Sequence, residues 1–109
     1  MSVQSVQRET FEETIQHAEG PVAVDLWMDD CPPCTMMAPK LETVSEEYAG
    51  EVTTYRVKVD ADDPLLETYD VEAMPAILFF RDGDLRGRIE GLLHSDALRE
   101  AFDDLEAAT

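Results

Sequence analysis

The run Val22-Ala23-Val24-Asp25-Leu26-Trp27 constrains the chain more than any other stretch. A strand this apolar offers no face to water. It must be covered on both sides, which is the habit of parallel sheets. The neighbouring segments supply the covers. Phe11, Ile15 and Ala18 lie on one face of a helix that opens with a capping box, Thr10-Phe11-Glu12-Glu13, and stops at Gly20-Pro21. Met37, Leu41, Val44 and Tyr48 recur at helical spacing beyond Cys34, predicting a long helix that holds Pro39 and ends about Ala49-Gly50. Val52 to Val59 reads as a strand, with Tyr55, Val57 and Val59 on one side and Arg56 and Lys58 on the other. Pro64 to Tyr69 is a short helix with proline in its first turn. Pro75 to Phe80 is a strand, Asp82-Gly83 a hairpin turn, and Leu85 to Gly91 the antiparallel return. Ser95 caps a last helix with Leu98, Ala101, Phe102 and Leu105 inside.

Helices between strands give a parallel sheet through right-handed crossovers, and the closing hairpin adds an antiparallel edge. The expected fold is α/β: a central mixed sheet of four to five strands, the fifth at Val3–Val6, with helices on both faces. With 109 residues the chain reads as one domain spanning 1–109, since domains run to roughly 100–200 residues.

Composition excludes several classes. Apolar residues at 44% rule out a disordered chain. The longest apolar stretch, Ala76 to Phe80, falls far short of the ~18 residues of a membrane helix. The first residues carry no charged-then-apolar signal pattern, so the expected compartment is the cytoplasm. Asp and Glu number 25 against 8 Lys and Arg, a net charge of −17, which repels nucleic acid and anionic membranes. The acids are dispersed, not gathered in a tail. That suits a folded body in a salt-rich cytoplasm, where screening relieves self-repulsion; the alternative is an ordinary acidic protein.

The chemistry points to Cys31-Pro32-Pro33-Cys34, where the buried strand gives way to the long helix. Cys31 at the N-cap would feel the helix N-terminus, which favours thiolate, and Cys34 one turn on lies within its reach. Such a dithiol can attack a disulfide and resolve the mixed disulfide internally. Both prolines fall where backbone N–H groups lack helical partners. Pro33 disfavours helical dihedrals at Pro32, so the first turn is expected to be strained or to start one residue late. A structural disulfide here would close a four-residue loop and constrain the unfolded chain little. A zinc site needs about four ligands, and His17 and His94 stand apart on different elements as surface residues. No metal site is therefore expected.

Val24-Asp25-Leu26-Trp27, Cys31-Pro32-Pro33-Cys34, Ala38-Pro39, Met74-Pro75, Asp82-Gly83 and Gly91 match, in order and spacing, the pattern of the thioredoxin family. The chain resembles that family over nearly its whole length. The resemblance implies a thiol–disulfide oxidoreductase that reduces protein disulfides, with Cys31 as nucleophile and Cys34 resolving. It implies a cis peptide at Met74-Pro75 and a substrate groove shaped by Trp27, Pro32, Pro33, Met74, Pro75 and Gly91. It implies a monomer without cofactor, drawing electrons from a thioredoxin reductase-like donor. Asp25, which could otherwise point to a solvated edge, becomes a buried carboxylate assisting proton transfer at Cys34, and Trp27 more than a core aromatic. The alternatives are a redox-inert binding module and an oxidase or isomerase of the same fold.

The chain also departs from the family pattern. Asp29-Asp30 stand where a second tryptophan precedes the first cysteine, and should raise the Cys31 pKa. Pro32-Pro33 replace Gly-Pro, and Pro32 removes a possible N–H donor to the thiolate. Thr35 replaces a basic residue. Arg56 stands where the family carries a lysine near the aspartate. Its permanent charge works toward holding Asp25 ionised.

Overall fold

The computed structural model describes residues 2–107. Along them run β1 (Val3–Val6), a 3-10 turn (Arg8–Thr10), α1 (Phe11–His17), β2 (Pro21–Trp27) and α2 (Pro32–Glu47). Then come β3 (Thr53–Lys58), α3 (Pro64–Thr68), β4 (Ala76–Arg81), β5 (Asp84–Glu90) and α4 (Ser95–Ala107). The sheet has five strands in the order β1-β3-β2-β4-β5. β3 runs parallel to both β1 and β2, while β4 is antiparallel to β2 and to β5. The fold class is the expected one.

The alternation of side chains along each strand builds two cores. Val22, Val24 and Leu26 of β2, with Leu78 and Phe80 of β4, face α1 and α3 through Phe11, Ile15 and Leu65. Ala23, Ile77 and Phe79 face α2 and α4 through Met37, Leu41, Val44, Leu98 and Phe102. β2 is thus covered on both faces, as its composition demands. The Asp82-Gly83 hairpin forms with positive φ at both residues (51° and 86°), the backbone that a two-residue turn between twisted strands requires.

Three local expectations are corrected. The Thr10 capping box does not form. The chain enters α1 through the 3-10 turn, so Thr10 sits at φ −105°, ψ 3° instead of extended, and its hydroxyl donates back to the Gln7 carbonyl. Arg8 fixes that entry by bonding both Asp63 and Glu12. Ser95 is the first residue of α4 rather than its cap, and the His94 carbonyl accepts from Leu98 N–H. Finally, α2 ends at Glu47, and α3 at Thr68, each slightly earlier than expected.

Candidate active site

β2 ends at Trp27, and the loop Met28–Asp30 carries the chain to Cys31, the N-cap of α2. Cys31 has extended dihedrals (φ −123°, ψ 91°), which the following proline favours. Its Sγ accepts a hydrogen bond from Cys34 N–H at 3.3 Å. Pro32 and Pro33 occupy the first two helical positions, and α2 begins at Pro32 with no delay. Neither proline sacrifices a hydrogen bond there, because those N–H groups have no helical partner. Cys31 and Cys34 are joined in a disulfide with Cα atoms 5.3 Å apart. The pair is unequal: Cys31 is half-buried, whereas Cys34 is 2% exposed. Only the first sulfur can be approached from outside.

Asp25 is fully buried. It alternates with Val24 and Leu26, so it faces the α2 layer, the helix in which Cys34 is buried. In the sheet register it lies opposite Arg56 on β3. Arg56 Nε donates to Asp25 Oδ2 at 3.3 Å, while Oδ1 has no protein partner. Burial disfavours the carboxylate and Arg56 favours it. Burial wins, and the Asp25 pKa is pushed up to about 6. Arg56 acts in the expected direction, toward the ionised form, but does not outweigh burial. Arg56 reaches Asp25 with one long bond and remains 26% exposed, so water screens much of its charge. Its solvent side opens on a groove of about 570 Å³ shared with Trp27, Lys58 and Asp60.

Trp27 is half-buried and lies outside both cores. Its ring carries Arg56 at 4.7 Å and Lys58 at 5.8 Å. It thereby braces the residue that holds Asp25, through cation–π attraction. Lys58 also pairs with Asp29 at 2.6 Å. That contact alters the expectation for the two aspartates ahead of Cys31: Asp29 is matched by a cation, and Asp30 remains exposed at φ 55°.

Met74-Pro75 is a cis peptide, with Pro75 buried and Met74 half-buried. Ala76 pairs with Leu26, which sets Pro75 beside the Trp27 end of β2, where α2 and its cysteines also start. Gly91 N–H donates to the Pro75 carbonyl at 2.7 Å, from a φ of 87° that only glycine adopts readily. The fold therefore gathers Asp25, Trp27, Cys31, Pro32, Pro33, Cys34, Met74, Pro75 and Gly91 at one end of the sheet, the end where α/β proteins place their sites. His17 ends α1 and His94 lies in the loop before α4, both exposed.

Sequence reasoning missed Glu90. Its Oε1 accepts from the N–H groups of Glu72 (2.6 Å) and Ala73 (2.7 Å), just ahead of Met74. An acid near the end of an alternating strand reads as a solvated side chain, and its backbone partners lie 17 and 18 residues earlier with no pattern to mark them.

The family model described as Thioredoxin matches residues 2–104. The chain is 32% identical over 94 residues to "Thioredoxin" of Pseudomonas aeruginosa, covering 86% of this chain and 87% of that protein. It is 40% identical over 77 residues to "Thioredoxin C-2" of Corynebacterium nephridii, covering 71% of each. It is 29% identical over 101 residues to "Thioredoxin M-type, chloroplastic" of Spinacia oleracea, covering 93% of this chain. The chain spans 56% of that spinach protein and 59% of its Pisum sativum counterpart.

Proposed function

The chain belongs to the thioredoxin family, and from that premise we propose that it reduces protein disulfides through Cys31 and Cys34. The observation that carries this reading is an approachable sulfur at a helix N-cap joined to a buried one a turn later. In the reduced protein the Cys31 thiolate attacks a client disulfide, forming a mixed disulfide and releasing one client thiolate. Cys34 then gives its proton to Asp25 and attacks Cys31 Sγ. The second client sulfur leaves, and the Cys31–Cys34 disulfide remains. Two electrons have passed to the client, whose thiolates take up protons. The disulfide in the structure corresponds to this product state. Recharging needs a dithiol donor of the thioredoxin reductase kind. Trp27, Pro32, Pro33, Met74, Pro75 and Gly91 line the client groove in this reading, and one domain acts as a monomer.

The reaction is tested by insulin turbidity with dithiothreitol as donor. The protein is expected to accelerate precipitation of the reduced chains well above dithiothreitol alone. A rate equal to the donor's own would leave a redox-inert docking module.

A reducing, salt-rich cytoplasm suits the acidic surface. Among the described residues, no helix is long and apolar enough to cross a membrane. Among the described residues, five cations (Arg8, Arg56, Lys58, Arg88 and Arg99) hold eight carboxylates in ion pairs, against 25 acids in the sequence. Raising salt from about 0.1 M to about 1 M shortens the screening length from roughly 10 Å to roughly 3 Å. The thermal midpoint is expected to rise across that range. A midpoint that stays level or falls would remove the argument for a saline setting.

A further inference from the structure

Residues 69–75 connect α3 to β4 and end at Pro75, at the same end of the sheet as Cys31. The end of β5 holds this segment at several points. Glu90 Oε1 accepts the N–H groups of Glu72 and Ala73, at 2.6 and 2.7 Å. Glu90 Oε2 accepts from Arg88 Nε at 3.3 Å, and Arg88 reaches back to Asp70 at 3.4 Å. One residue beyond Glu90, Gly91 N–H binds the Pro75 carbonyl at 2.7 Å. Beginning, middle and end of the segment are thus tied to a single strand end.

Neither Glu72 nor Ala73 belongs to a helix or strand, so no ladder holds their N–H groups. A carboxylate that accepts two adjacent amides fixes the peptide planes on both sides of Glu72 with charge-assisted bonds. The same two amides hold the Glu90 pKa below the usual carboxylate value, so the anion persists at neutral pH. The side chains of Glu72 and Ala73 are exposed, so this stretch of backbone forms part of the outer surface.

We propose that Glu90 is a positioning residue that fixes the backbone of Glu72 to Pro75 as a docking rail for protein disulfides. It governs how well a polypeptide client binds and leaves the sulfur chemistry of Cys31 alone. This rests on the oxidoreductase reading above. A small disulfide needs access only to the Cys31 sulfur. An extended client must also lie against the segment, and each backbone conformation lost to it weakens binding.

The test compares Glu90→Val with Glu90→Gln. Valine suits a strand and accepts nothing. Glutamine keeps a carbonyl oxygen able to receive both amides. Steady-state reduction is measured with insulin and with the small aromatic disulfide 5,5′-dithiobis(2-nitrobenzoate), and amide hydrogen exchange is followed at Glu72 and Ala73. Glu90→Val is expected to raise KM for insulin several-fold with kcat nearly unchanged, and to leave the small disulfide at the parent rate. Glu90→Gln should stay close to the parent on both. The two amides should be protected in the parent and in Glu90→Gln, and exchange fast in Glu90→Val. An unchanged insulin KM in Glu90→Val, an equal slowing of the small disulfide, or amides already fast in the parent would each overturn the assignment. The parent measurement requires no variant to fold. A parent that reduces neither disulfide overturns the oxidoreductase reading itself, an outcome distinct from a parent that is active and a Glu90→Val variant that matches it.

Discussion

Cys34→Ser is expected to trap client proteins in mixed disulfides through Cys31, while Cys31→Ser traps none and both variants fall to background in insulin reduction. The asymmetry follows from where the fold puts two identical side chains. Cys31 caps α2, is half-buried, and has the helix N-terminus to stabilise its thiolate. Cys34 is 2% exposed, so a client disulfide cannot line up with its sulfur. Without Cys34 the mixed disulfide forms but has no internal thiol to release it. Without Cys31 no attack begins. The check is a non-reducing gel of each variant after incubation with a disulfide-bonded client. Equal trapping by both would sink the role assignment. Recovery of client from the Cys34→Ser adduct on adding dithiothreitol would identify the bond as a disulfide.

The unequal placement of the two cysteines was legible in the sequence because the information is local. A cysteine at an N-cap and another three residues on share a turn whatever the remaining chain does. The double-sided burial of β2 was equally plain, since a run of apolar residues admits few alternatives. Pro75 and Gly91 were legible only through family resemblance; composition alone makes Pro75 the first residue of a strand. What stayed hidden depends on partners distant in the chain. The Thr10 cap failed because Arg8 ties the preceding turn to Asp63, 55 residues away. Glu90 is invisible for the same reason. Lys58 on Asp29 comes from strand register, which sets Lys58 opposite Trp27. The sequence named both forces acting on Asp25, a buried site and a neighbouring arginine. It could not rank them, because ranking needs the extent of burial and the length of the Arg56 bond.

That ranking gives the second large effect: Asp25→Asn should stabilise the oxidised protein near pH 8 and hardly at all near pH 4. The folded state holds the Asp25 pKa at about 6, against 3.8 for the free side chain. Between those values the folded protein keeps a proton that the unfolded chain has lost. Stability therefore falls as pH rises through the window, and above it the charged carboxylate is a standing cost. The displacement of about two units corresponds to about 3 kcal/mol, as an upper figure. Asparagine removes the cost at every pH and keeps the shape. Arg56 loses its partner but is partly exposed and still rests on Trp27, which limits the penalty. For a domain of this size the variant should melt roughly 10 °C higher at pH 8, converging on the parent below about pH 4. Comparing the two proteins at each pH cancels the many surface carboxylates, which titrate in both. Catalysis should move the other way. If Asp25 accepts the Cys34 proton, resolution of the mixed disulfide should slow in the parent as pH falls through about 6, and the asparagine variant should be slow throughout. Rapid-quench measurement of mixed-disulfide decay reads this step separately from the initial attack. A variant that is more stable at pH 8 but resolves as fast as the parent would leave Asp25 buried at a cost in stability and without part in the proton transfer.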